Sequence, residues 1–332
     1  MGEDRSVLVT GSTGFLGKYI VKEFADNDYH VKAFGRNVKV GKTLEDATFI
    51  SGDFTRIDEI EDASCQTDIV VHAGALSTVW GSWKSFYQAN VLGTENVARA
   101  CLKNKVKRLV FVSSPSIYTT KESRLNISED FPLADNRLNN YIRSKIAAEK
   151  IIKDYQKQGL ETVILRPRGL FGIGDTSIIP RLIAANQKRG IPLINGGQNV
   201  VDVTYVGNVA QACYLAATTE KAAGEVFNIT NGEPQAFKEI LEKLFEKINV
   251  KPRYFPLSLS KAYGLAQILE GLYRILPLNG EPVLTRYTAA TLGTSQTLDI
   301  TKAREILTYQ PRVSIEEGLN IYASDWTKNH RY

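Results

Sequence analysis

Tyr141 and Lys145, in Tyr141-Ile142-Arg143-Ser144-Lys145, stand four residues apart. On a helix that spacing turns both side chains to one face. A phenol titrating near pH ~10 is a poor base at neutral pH, and a neighbouring ammonium stabilises the phenolate and lowers that value. Tyr and Lys at this spacing also occur in helices that only pack. Ser114, in Ser113-Ser114-Pro115-Ser116-Ile117-Tyr118, narrows the reading. It follows an apolar run expected to be a strand, at the carboxyl edge where such sheets bind ligands. A hydroxyl there can hydrogen-bond and polarise a substrate oxygen. The three together are equipped to move a proton onto or off that oxygen.

A second constellation lies at the start of the chain. Gly11-Ser12-Thr13-Gly14-Phe15-Leu16-Gly17 follows one expected strand and opens an expected helix. Glycines let the backbone turn tightly and approach a pyrophosphate, and the helix start supplies free N–H groups and a positive dipole. The spacing is GxxGxxG rather than GxGxxG, and its strand–turn–helix setting gives it weight. Gly11, Thr13, Gly14, Phe15 and Leu16 are the expected dinucleotide contacts. The next strand runs His30-Val31-Lys32-Ala33-Phe34-Gly35-Arg36-Asn37, without the acid that would bind an adenosine ribose. Gly35 leaves room for a 2′-phosphate and Arg36 can pair with it, so NADP(H) is favoured over NAD(H). A solvated loop charge is the alternative for Arg36. Asp53, in Gly52-Asp53-Phe54, is placed to hydrogen-bond adenine or to cap the following turn. Phe54, the small residues Ala73-Gly74-Ala75, and Pro167 at the end of the sixth strand complete the expected cofactor contacts.

These groups need a frame. Apolar, β-branched runs predict strands at residues 6–10, 30–34, 48–51, 68–72, 108–113 and 162–166. Apolar residues at helical spacing predict helices at 14–25, 85–103 and 139–158. Continuous apolar strands alternating with helices indicate an α/β fold, a Rossmann-type doubly wound parallel sheet. After Pro167, Gly and Pro become frequent. Helices are expected at 178–188, 206–218, 237–247, 259–276 and 315–326, the last opened by a Ser314/Glu317 capping box, with short strands at 225–230 and near 252–255. Residues 1–168 form the expected dinucleotide-binding domain. Residues 169–332 form mainly a smaller, interleaved substrate-binding lobe, with about 200–230 returning to the sheet.

Five segments now fall in order: TGSTGFLG (10–17), NVLGTENV (90–97), SSPSIY (113–118), YIRSK (141–145) and RPRGLFGIGD (166–175). Over nearly the whole chain they resemble the extended short-chain dehydrogenase/reductases of the NAD-dependent epimerase/dehydratase superfamily. The resemblance implies Tyr141 as general acid/base, Lys145 as its ribose-binding, pKa-lowering partner and Ser114 as donor to the substrate oxygen. It gives Asn90 a part in a proton relay or in helix packing. Val201-Asp202 and Thr204-Tyr205 stand where nucleotide-sugar epimerases tend to carry Arg-Asp and Ile-His. With the tail at 284–304, this is similar to the 3β-hydroxysteroid dehydrogenase and 2-alkyl-3-oxoalkanoate reductase branch. The implied substrate is a largely apolar secondary alcohol or ketone, steroid-like or 3-oxoacyl-like. The pocket is expected from residues 76–83, with Trp80 and Trp83 as candidate walls, and from residues 259–276. A nucleotide-sugar epimerase or dehydratase is the alternative, its diphosphate held by Arg168, Arg181 and Arg189. A non-catalytic dinucleotide-binding protein is a third reading, disfavoured because Tyr141 and Lys145 are both present.

Composition bounds the rest. The chain has 332 residues, 43% hydrophobic and 23% charged, enough for a large core. A net charge of +5 without a basic block argues against nucleic acid. Cys65, Cys101 and Cys213 are too dispersed for a disulfide framework or zinc site and read as buried small apolar residues. His30, His72 and His330 are equally scattered; no metal is expected, and His72 reads as a strand-end residue. Met1-Gly2-Glu3-Asp4-Arg5 leads straight into a strand, and no run reaches the length of a membrane span. The expected protein is cytoplasmic, with a homodimer as a possible assembly.

Overall fold

In β1 (Ser6–Thr10) every residue is buried, the pattern of a strand covered on both faces. The computed structural model describes residues 5–133, 138–276 and 280–329; Met1–Asp4 and His330 lie outside them. β2 (His30–Gly35), β3 (Thr48–Ser51), β4 (Ile69–His72) and β5 (Arg108–Val112) join β1 in a seven-stranded sheet. The order is β3–β2–β1–β4–β5, followed by Thr162–Pro167 and Val226–Ile229. Every pair is parallel, and the order reverses at β1, where Val7 faces both Val31 and Ile69.

Helices cover both faces, as right-handed crossovers require. α1 (Phe15–Ala25) buries Ile20, Val21 and Phe24 against one face, together with Val206–Thr218 and Thr301–Leu307. The other face is covered by Ile57–Ser64, Gly93–Lys103 and Asn140–Lys157, through Ile60, Val97, Cys101, Ala148 and Ile152. The 206–229 segment thus lies on the large sheet, and the 301–307 helix lies there too. A further cluster around Phe245, Leu241 and Leu319 joins Phe237–Lys247 to Ile315–Asn329. Small sheets knit the second half together: Leu170–Phe171 with Thr204–Tyr205, Ile191–Ile194 with Tyr254–Leu257, and a four-stranded set containing Arg124–Ile127 and Gln296–Leu298. The Ser314/Glu317 capping box forms: each backbone N–H donates to the other's side chain, at 2.8 and 3.2 Å.

Two expectations are corrected. The 85–103 helix is broken into Trp83–Phe86, a π-helical turn at Tyr87–Leu92 and Gly93–Lys103. The π turn inserts a residue into the helix, which shifts the apolar stripe without interrupting it. Cys65 is exposed, because it follows the polar Ile57–Ser64 helix at a surface corner; Cys101 and Cys213 are buried. The Leu259–Ile275 helix buries only Ala262, Ala266 and Glu270 fully and leaves Ile268 and Ile275 outside. Among the described residues no helix is long and apolar enough to cross a membrane.

Candidate functional site

The glycine turn sits at the carboxyl end of β1. Gly11 has φ +70°, and a Cβ there would lie 2.6 Å from the Gly74 Cα. Only a residue without a side chain allows the turn to meet the β4 loop so closely. A Cβ on Gly17 would lie 2.1 Å from the Gly11 carbonyl oxygen. α1 therefore starts directly beneath the turn. Its N-cap, Gly14, makes no side-chain cap and its first turn holds no acid, so N–H groups and dipole are left to an anion. Phe15 and Leu16 are half-buried beside it. Ser12 ties the turn to β2 by donating to the Phe34 carbonyl at 3.1 Å. These features fit a dinucleotide pyrophosphate.

At the end of β2, Gly35 faces Thr13, whose Oγ1 would meet a Cβ at 3.1 Å. Arg36 is largely exposed and lies 3.6 Å from Asp53. The other Asp53 oxygen accepts from the Thr55 N–H at 2.9 Å, so Asp53 does cap its turn. The Phe54 ring fills the space over Gly74 and Gly93 and stands edge-on to His72. Ala73, Gly74 and Ala75 leave β4 as a loop. Its next residue, Leu76, is clamped by Asn90, which accepts from the Leu76 N–H at 2.7 Å and donates to its carbonyl at 2.9 Å. Asn90 also donates to Ser144 Oγ at 2.9 Å, and Ser144 donates to the Tyr141 carbonyl at 2.7 Å. From the π turn, Asn90 thus fastens the cofactor-side loop to the helix that bears Tyr141. His72 is fully buried, bonded to Thr10 and Thr94, and burial followed by the Lys145 charge pushes its pKa down to about 3. It is a neutral structural residue at the strand end.

Ser114 caps the short turn Pro115–Tyr118 by accepting from the Ser116 N–H at 3.2 Å, which leaves its own proton to donate. Tyr141 is in the first turn of Asn140–Lys157, capped by Asn139, and packs beside Phe86. Burial pushes the Tyr141 phenol up to about 12; the approaching Ser114 hydroxyl opposes that rise, and Tyr287 adds to it. Lys145 points into the sheet and donates to the Val112 carbonyl at 2.8 Å. Burial brings its pKa down to about 8, against the pull of Glu149. In this arrangement the Lys145 ammonium bonds β5, while the Ser114 hydroxyl is the group nearest in effect to the phenol. The spacing put both on one helix face but could not say which partner each would take.

Beneath lies a network that the sequence reading missed. Arg166 donates to both oxygens of Glu149 at 2.9 and 2.6 Å, and both residues are buried. Ser113 donates to Glu149 at 2.6 Å, and Arg166 also donates to Tyr118. The network locks the Lys145 helix to the strand ending at Pro167. An acid four residues beyond Lys145, with an Arg beside a proline strand end, was the available signal. Tyr287, Gln296 and Asp202 come from separate segments, which the sequence marked for the branch and not for the site.

Of the three arginines considered for a diphosphate, only Arg168 is buried, against Gln296. Arg181 pairs with Glu281 at 2.7 Å and Arg189 is exposed. A cavity of about 420 Å³ opens between the two halves, lined by Trp80, Leu138, Asn139, Tyr273 and Arg274 among others. Trp80 lines this cavity. The Arg143 guanidinium stacks over the Trp83 ring, 3.8 Å from its centroid.

Residues 7–230 match the NAD dependent epimerase/dehydratase family. The chain is 34% identical over 319 residues to the 2-alkyl-3-oxoalkanoate reductase of Stenotrophomonas maltophilia, covering 94% of this chain and 97% of that protein. It is 29% identical to the decarboxylating sterol-4-alpha-carboxylate 3-dehydrogenase of Mus musculus, over 95% of this chain and 89% of that one. Among solved structures, MoeE5 in complex with UDP-glucose and NAD superposes with a TM-score of 0.76 at 25% identity, covering 98% and 99% of the two chains.

Proposed function

The chain belongs to the NAD dependent epimerase/dehydratase family, and on that premise we propose that it is an NAD(P)-dependent oxidoreductase that interconverts a secondary alcohol and a ketone on a largely apolar substrate. The observation that carries the reading is Ser114 approaching the Tyr141 phenol at the carboxyl end of β5, one helical turn from Lys145. Reductases of an oxoalkanoate and dehydrogenases of a sterol carboxylate among the relatives support an apolar oxo or hydroxy substrate.

The turn Gly11–Gly17, with Thr13, Phe15 and Leu16, would hold the pyrophosphate, and Ala73, Ala75, Asn90 and Pro167 would flank the nicotinamide half. When bound, the nicotinamide supplies or accepts the hydride. In reduction, Ser114 donates to the carbonyl oxygen and Tyr141 gives it a proton as negative charge builds there. Lys145 would bind the ribose, and its charge would then lie beside the phenolate that forms. Residues 1–168 do this work, and residues 169–332 mainly shape the substrate pocket. Arg36 at the end of β2 favours NADP(H), its weak exposed contact with Asp53 being easily exchanged for a phosphate. Arg36→Ala should weaken NADP(H) about ten- to a hundredfold relative to NAD(H), one charge-assisted contact. Equal affinities in the unmutated protein would contradict the preference.

The function is tested by mixing the protein with NADPH and a panel of medium-chain 3-ketones, with UDP-glucose in parallel. Loss of nicotinamide absorbance with the ketones is expected. Interconversion of the UDP-sugar without net cofactor change would replace the oxidoreductase reading with the epimerase.

A further inference from the structure

Three consecutive residues, at and just after the end of β5, each meet one residue of the Asn140–Lys157 helix. The Val112 carbonyl accepts from the Lys145 ammonium at 2.8 Å, Ser113 donates to Glu149 at 2.6 Å, and the Ser114 hydroxyl approaches the Tyr141 phenol. Tyr141, Lys145 and Glu149 are spaced by four residues along one stripe of that helix. The contacts are not equally firm. Lys145 reaches its carbonyl on a flexible four-carbon stem. The Ser113 side chain is short and its acceptor is fixed. Arg166 donates to both Glu149 oxygens, and Ser113, Glu149 and Arg166 are 5%, 3% and 2% exposed. A hydroxyl at 2.6 Å from a buried carboxylate is among the strong hydrogen bonds. Arg166 also donates to Tyr118, the last residue of the turn that Ser114 caps. One ion pair therefore holds the chain on both sides of Ser114, from within the helix that carries Tyr141.

We propose that Ser113 is a positioning residue of the reaction: its bond to Glu149 sets how the strand end seats against the helix, and so holds Ser114 opposite Tyr141. This rests on the oxidoreductase reading above and adds a residue that acts through Ser114 and Tyr141. In reduction, Tyr141 gives its proton to the same oxygen that Ser114 bonds, so the two hydroxyls must converge on one point. A misplacement of about 1 Å at such a centre costs about 10²-fold in rate. Without the Ser113 Oγ, the strand end keeps the Lys145 contact, whose flexible stem fixes no distance. The fold depends on Ser113 less than the chemistry does. With alanine there, Glu149 still accepts both bonds from Arg166, so no buried charge loses its partner.

The test is single-turnover transfer from NADPH to a medium-chain 3-ketone in the full chain, for Ser113→Ala, Tyr141→Phe and the double variant. NADPH affinity is measured in each preparation. Ser113→Ala should slow transfer about ten- to a hundredfold while NADPH affinity stays as it was. In the Tyr141→Phe background the same change should slow it little further, because no proton donor is left to aim. Ser113→Cys, which keeps the volume but is a weak donor, should be slowed as Ser113→Ala is. Equal slowing by Ser113→Ala in both backgrounds would overturn the proposal, leaving Ser113 as a residue that only supports the fold. An undiminished rate in Ser113→Ala would do the same. A near-normal rate in Ser113→Cys beside a slow Ser113→Ala would assign the loss to packing and also contradict it. No transfer by the unmutated protein to any ketone would remove the oxidoreductase reading, and the proposal with it, before any variant is compared.

Discussion

Lys145 shows what burial does to a group the chemistry needs charged. Its ammonium is 3% exposed, holds one backbone carbonyl, and titrates at about 8 instead of the ordinary lysine value of 10.5. Because the folded value is depressed, the unfolded chain binds more protons between those two pH values. Stability from this residue therefore rises as pH increases from about 8 toward 10.5. Between pH 7 and 9.5 the unmutated protein should gain about 2 kcal/mol relative to Lys145→Met, read from paired urea titrations at each pH. Parallel curves for the two proteins would mean the ammonium is solvated. Tyr141, Lys145 and Ser114 were legible in the sequence because their spacing is short and their elements strongly patterned. Their partners were not: Val112 and Tyr287 reach the site through sheet register and lobe packing, which no local spacing encodes.

Among the elements, the β1–α1 turn was legible to the residue, since close backbone approach leaves only glycine. Gly11→Ala would drive a methyl to 2.6 Å from the Gly74 Cα at a positive φ, and neither backbone can yield. NADPH affinity, followed by nicotinamide fluorescence, should fall tenfold or more; undiminished binding would show that the turn does not touch the cofactor. The helix of Tyr141 is fixed from below by the Glu149–Arg166 pair. Arg166→Met leaves Glu149 buried without its partner and should cost about 3–5 kcal/mol in urea unfolding, the penalty of an uncompensated buried charge. Replacing Lys22, in the exposed Lys22–Asp26 pair, should leave the urea midpoint nearly unchanged. The π turn at Tyr87–Leu92 escaped the sequence because one inserted residue leaves the apolar spacing nearly intact, yet it is what aims Asn90 at Leu76 and Ser144.

For the molecule as a whole, the large sheet was readable because each of its buried strands is a continuous apolar run. The second half was not: its strands at Leu170–Phe171, Val200–Val201 and Thr204–Tyr205 have two residues each, too short for any periodicity. Those short strands flank the buried Arg168 and Asp202. The most direct measurement is single-turnover transfer from NADPH to a medium-chain 3-ketone in Tyr141→Phe, with NADPH affinity measured in the same preparation. Phenylalanine keeps the ring against Phe86 but has no proton to give. Transfer should slow by about 10²–10⁴-fold while NADPH still binds. A transfer rate close to that of the unmutated protein would contradict the account, leaving Tyr141 as an aromatic that only packs.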